Sequence, residues 1–122
     1  STQYNAGNVY YFSNMLWNEN TPTETNIGIQ LATAPDSGGL PGIWTSFMGP
    51  AGTGAPGDVF SSIASICSKT GSAVACLIPS TIAIGDNTND QWVKYKIFFT
   101  PNTTTFQTPS IQDITLRYRV RY

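Results

Sequence analysis

From residue 114 to the end the chain alternates without a break. Ile114, Leu116, Tyr118, Val120 and Tyr122 are apolar, while Thr115, Arg117, Arg119 and Arg121 between them are polar or basic. A period of two is the repeat of a β-strand, whose successive side chains point to opposite faces, so this segment reads as a strand with one apolar and one basic face. Residues 91–100 repeat the pattern, with Val93, Tyr95, Ile97 and Phe99 set against Trp92, Lys94, Lys96 and Phe98. Residues 101–105 and Pro109 then read as the loop joining the two strands.

No helical period of 3.6 persists anywhere else in the chain. Residues 9–17 are rich in aromatics and read as a strand, residues 26–34 alternate through Ile27, Ile29 and Leu31, and residues 43–48 form a short third candidate. Residues 59–66 fit either a turn or two of helix or a strand. Residues 74–84 carry an apolar run broken by Pro79, which suggests an edge strand or an irregular crossing. Residues 34–39 and 49–57 are heavy in Pro and Gly and read as long surface loops, with no second core after them. Several short strands joined by turn-rich loops in 122 residues predict one antiparallel β-sandwich domain spanning residues 1–122.

Charged residues make up only 11% of the chain, against a typical ~25%. The polar surface must therefore come from Thr, Ser, Asn, Gln and Gly, a choice common in extracellular β-domains and pilus-like assemblies. A net charge of −1 gives no electrostatic reason to expect nucleic acid as a partner. No run of 18 apolar residues predicts a membrane span. A Lys/Arg-led hydrophobic start is also missing, so Ser1-Thr2-Gln3-Tyr4 reads as a processed terminus or an artificial boundary. Cys67 and Cys76 flank eight residues rich in Ser, Gly and Ala that can turn back on themselves. A disulfide is expected, with a pair of reduced buried thiols as the alternative, and a disulfide implies an oxidising compartment. Without further His or Cys ligands the pair cannot form a zinc site.

Catalytic equipment is sparse. With no His, neither a Ser-His-Asp nor a Cys-His arrangement can be built. Six of the seven carboxylates fall in expected loops, where acids serve turns and caps, so no enzymatic activity is expected. No cofactor is expected either, with one candidate exception: Asp86 and Asp90 bracket an oxygen-rich segment of the kind that holds calcium in sandwich loops. The bland reading of that segment is a polar turn.

Lys94, Lys96, Arg117, Arg119 and Arg121 are five of the six basic residues. If the last two strands pair, these cations form one basic stripe on a sheet face. Its plain reading is solubility and protection of a sheet edge. Its functional reading is contact with an acidic partner, a neighbouring subunit or an anionic polymer. Trp17, Trp44 and Trp92 lie in strand patterns and read as packing residues; Trp92 is the best exposed candidate, because alternation places it with Lys94 and Lys96. Tyr10, Tyr11 and Phe12 are consecutive, so at least one points outward, as suits a protein contact. Asn102-Thr103-Thr104 fits the N-glycosylation pattern in what reads as an exposed loop.

Two pairs of segments carry a resemblance. Residues 29–36 with 44–52 read as a strand, a tryptophan and then Gly49-Pro50-Ala51-Gly52; residues 91–97 with 108–116 read as closing strands. Together they resemble the discoidin-like, galactose-binding-type β-sandwich of bacterial surface and secreted proteins, and the C-terminal globular part of pilin-like proteins. The resemblance covers residues 7–122 and implies a sandwich of jelly-roll or galactose-binding-like type. A pilin opens with a long hydrophobic helix that this sequence does not show, so a pilin-type role implies that the helix sits on a separate subunit or has been removed from this chain. The expected function is thus a non-catalytic, extracellular or cell-surface domain: the globular subunit of a pilin-like filament or assembly that docks on a partner chain. The alternative is a carbohydrate-binding module.

Overall fold

A computed structural model describes residues 3–7, 9–79 and 90–120, with the side chains of residues 9–11 and 120 excepted. The described residues form nine β-strands and no helix: β1 (Tyr4–Asn5), β2 (Val9–Asn20), β3 (Asn26–Ala34), β4 (Asp36–Ser37), β5 (Leu40–Pro41), β6 (Cys67–Thr70), β7 (Ala73–Leu77), β8 (Trp92–Thr100) and β9 (Ser110–Val120). One sheet has the order β1-β8-β3 and a second the order β6-β7-β2-β9; β4 and β5 make a separate small hairpin. Every pairing is antiparallel. The two larger sheets face one another across a core, so the expected all-β sandwich is present.

Trp17, Met15 and Phe12 of β2 and Val74 and Cys76 of β7 supply one side of that core. Ile27, Ile29 and Leu31 of β3, Val93 of β8, and Phe60 supply the other. Burying a side chain of this size contributes about 1.5–3 kcal/mol relative to exposure, which makes the interleaved faces the main source of stability. Glu19, also in β2, is buried among them. One of its carboxylate oxygens accepts the Trp17 indole N–H at 2.7 Å, and the other pairs with the Lys69 ammonium at 3.1 Å. Charge burial is tolerated here because both oxygens are occupied.

Strand β3 is buried along both faces from Ile27 to Ala34, although the sequence alternation predicts only one. Its outer face holds Gly28, Ala32 and Ala34 around Gln30, and the segment from residue 42 to 60 folds over it. Met48 bridges to Leu31 and Phe60 to Ile29 along the free edge of β3. Between those two points the chain makes an excursion that the Gln30 amide ties down, donating to the carbonyls of Ala55 (3.1 Å) and Asp58 (3.0 Å). Gly49 is required there, since a Cβ would lie 1.9 Å from the Asp58 carbonyl oxygen. Residues 43–48 therefore form an edge contact and not the expected strand; Ile43 is 90% exposed. Residues 59–66 are turns with the Phe60 bridge. The apolar run at residue 74 forms β7, an inner strand between β6 and β2 and not an edge, and its continuation from residue 80 lies outside the described residues.

Strands β6 and β7 form a hairpin whose two-residue turn places Gly71 at φ 63°, a conformation that glycine adopts without penalty. The hairpin sets Cys67 directly opposite Cys76, and a disulfide joins them. Closing so short a loop restricts the unfolded chain modestly. Replacing both cysteines with serine is expected to lower the unfolding free energy by about 2–3 kcal/mol, read as a shifted urea midpoint.

Candidate functional site

The two sheets close over one another on the β3, β2 and β7 side and part on the other. Strand β9 is the edge of its sheet, and among the described residues no strand pairs with its outer side. Across the gap, β1 covers β8 among the described residues only at Val93 and Trp92. Between β8 and β9 lies an apolar cleft of about 530 Å³. Tyr95 and Ile97 line it from one sheet, and Ile111, Ile114, Leu116 and Tyr118 line it from the other. Tyr4 stacks on Tyr95 with ring centroids 6.5 Å apart, and Phe12 meets Tyr118 edge-on at 6.4 Å. Burial, reinforced by the neighbouring Tyr4 hydroxyl, pushes the Tyr95 phenol above its ordinary range, so it is neutral at physiological pH.

One backbone irregularity gives the cleft its apolar wall. Asp113 adopts φ 57°, and an extra residue enters β9 there, between the pairs Leu16–Thr115 and Asn18–Gln112. The resulting bulge shifts the alternation by one, so that Ile111 and Ile114 both face inward. Beyond the bulge the predicted pattern holds as far as Leu116: Ile114 and Leu116 are half-buried and Thr115, Arg117 and Arg119 are exposed, but Tyr118, expected on the apolar face, is exposed as well. No cluster of three or more Cys, Asp or Glu side chains able to hold a metal occurs among the described residues. What the cleft offers is apolar contact beside an unpaired strand edge.

The basic residues do not form the single stripe that pairing of the last two strands would give. Strands β8 and β9 belong to different sheets, so Lys94 and Lys96 are separated from Arg117 and Arg119; Arg121 lies outside the described residues. The Lys94 ammonium sits 4.3 Å from the centre of the Trp44 ring and 5.4 Å from that of Phe47, and Lys96 lies over Phe98 at 5.1 Å. These lysines are engaged with aromatic faces on the outside of their sheet. Arg117 and Arg119 stand exposed on the outer face of β9.

The tryptophans mostly pack. Trp17 is buried, and Trp44 lies under Lys94. Trp92 is half-buried on the same face as Lys94, and its indole N–H donates to Asp36 at 3.0 Å. Tyr10 and Tyr11 lie in β2, where Tyr11 pairs with Arg119; the directions of their side chains lie outside the description. Of the calcium candidates, Asp86 lies outside the described residues. Asp90 is buried and accepts the Thr33 hydroxyl at 2.6 Å. Asn102 is buried, not exposed as its glycosylation pattern suggested. Its amide donates to the Thr23 carbonyl at 3.0 Å, while its side-chain oxygen accepts from the backbone N–H groups of Thr104 and Thr105. Glu19, Asp36 and Asp113 lie in strands, against the expectation that nearly all the acids occupy loops.

Sequence reasoning missed the cleft, because it depends on which sheet each strand joins. It also missed Phe106, which is 87% exposed with φ 59°, a strained conformation for a bulky side chain. Alternation alone carries no signal for either.

Asp58 fastens the excursion between Met48 and Phe60. Its carboxylate accepts the Ala51 N–H, the Thr53 N–H and the Thr53 hydroxyl, each at 2.8 Å. Burial pushes this carboxyl up, but the hydrogen bonds from Ala51 and Thr53 together outweigh it and hold the group below its ordinary value of 3.8. The stabilisation this gives is complete above the unfolded-state value and is lost as pH falls through the folded one. Urea midpoints measured from about pH 6 down to about pH 3 are therefore expected to fall at the acid end, and Asp58→Asn to flatten that acid limb. Scans against protein-family models, curated proteins and solved structures return no match to this chain.

Proposed function

We propose that this chain is a non-catalytic extracellular interaction domain, the globular subunit of a pilin-like filament or cell-surface assembly, and that it docks on a partner through the seam between β8 and β9. One observation carries the reading: the eleven-residue strand β9 has no neighbour on its outer side among the described residues, next to an apolar cleft of about 530 Å³. An unpaired strand edge beside apolar side chains suits an added strand, whose backbone completes the sheet while alternate side chains fill the cleft. The hairpin disulfide fits an oxidising compartment, and the neutral polar surface fits close contact between subunits. The galactose-binding-type and jelly-roll likeness belongs to this same reading, as does a separate subunit supplying a hydrophobic helix. Carbohydrate binding is the lesser reading: Lys94 lies over the Trp44 ring, and the Trp92 indole N–H is taken by Asp36.

Gln112 lines the cleft and is exposed, which makes it a reporter of occupancy. A Gln112→Cys variant, treated with a membrane-impermeant maleimide, is expected to label several-fold more slowly in material sheared from the surface of producing cells than in the purified chain. Equal labelling of the two samples, or absence of the protein from the sheared fraction, would sink the proposal.

A further inference from the structure

Resting on the reading of the seam as a docking face, we propose that its occupant is a second copy of this chain, whose β9 adds antiparallel to the free edge of the first about a two-fold axis at Thr115. In such a pair, residues equidistant from Thr115 face one another. Ile114 of each copy then meets Leu116 of the other, two half-buried residues that line the cleft. Asp113, at the bulge just beyond the regular ladder, comes within side-chain reach of Arg117 of the other copy. Both are exposed, and neither joins a salt bridge among the described residues. Over residues 113–117 the strand is thus complementary to its own reverse in apolar and in charged positions, as the centre of an isologous interface requires; further out, Ile111 falls opposite Arg119.

Competing registers lack that match. In-register parallel pairing sets Arg117 and Arg119 beside their own copies, and an antiparallel axis at Tyr118 sets Arg117 against Arg119. Like charges directly opposite destabilise a pair. An axis at Leu116 keeps a charge match, Asp113 with Arg119, but sets Ile114 against the exposed Tyr118. A net charge of −1 leaves little long-range repulsion between copies. The result is one continuous sheet running through both copies, with each cleft capped at the junction.

Directly opposed strand residues lie about 4.5–5.5 Å apart, close to disulfide reach, so the axis residue is a geometric reporter. Under mild oxidation Thr115→Cys is expected to give a covalent dimer on non-reducing gels at least roughly tenfold faster than Ser110→Cys, which lies far from the axis. Arg117→Asp places two acids together and is expected to weaken the dimer about tenfold by sedimentation equilibrium; adding Asp113→Asn recovers part of that loss. Thermal melts by circular dichroism check that each variant folds. A chain that stays monomeric at millimolar concentration with no Thr115→Cys cross-link overturns the proposal, as does preferential cross-linking of Leu116→Cys. If Gln112→Cys nevertheless stays shielded in assembled material, the seam docks a different chain and only the second copy is ruled out; if it is unshielded as well, both readings fall.

Discussion

A long strand that twists cannot keep one face in the core unless residues are inserted along it. The pairing of β2 with β9 meets that constraint with register shifts between Val9 and Tyr11, between Phe12 and Asn14, and between Leu16 and Asn18. Each shift resets the pleat by one residue while increasing the local twist. Phe12, Met15 and Trp17 all reach the core, though the step from Phe12 to Met15 breaks strict alternation. The rest of the structure follows from this. Without the reset between Phe12 and Asn14, Phe12 would face away from Met15 and Trp17, and the second sheet would lose one of its main contacts. The same device at Asp113 turns both Ile111 and Ile114 inward and so gives the open seam its wall.

How much of this was legible in the sequence depends on whether the cause was local. The alternation in β8 and from Ile114 onward is a property of each strand alone, and both strands lie where the pattern places them. The Cys67–Cys76 hairpin is equally local, set by a short turn. The partner of each strand is not local. Adjacent in sequence and similar in pattern, β8 and β9 nevertheless join different sheets, which divides the basic set and leaves a cleft where a shared face was expected. Strand β3 shows the other limit. Gly28 and Ala32 alternate with Ile27, Ile29 and Leu31, and their small size lets residues 42–60 cover the outer face. Asn102 is hidden for the same reason: a sequence motif says nothing about a bond to Thr23, 79 residues away.

The buried Glu19 illustrates how polar groups are admitted to such a core. An unpaired carboxylate there would cost several kcal/mol, but Trp17 occupies one oxygen and Lys69 the other. Lys69 comes from the disulfide hairpin and also bonds the Thr21 hydroxyl at 3.0 Å, so β6 and β2 are coupled by charge as well as by packing. This end of the molecule is closed by three different kinds of bond. The opposite end, at β8 and β9, has no such closure among the described residues, and stability and openness are thereby segregated to different edges of the same sandwich.

An exposed strand edge is ordinarily blunted by charge, bulges or brevity. Strand β9 has two of these devices, the Asp113 bulge and the outward arginines, yet it is eleven residues long. Protection and recognition need not conflict if the protective charges discriminate between registers. Arg117 and Arg119 penalise in-register parallel stacking and the antiparallel alignment about Tyr118, while the single acid at the bulge rewards alignments that bring an arginine beside it. A charged edge built only to repel would need no acid among its bases. The position of Asp113, two residues before Thr115 as Arg117 is two after it, is what converts a guarded edge into a selective one.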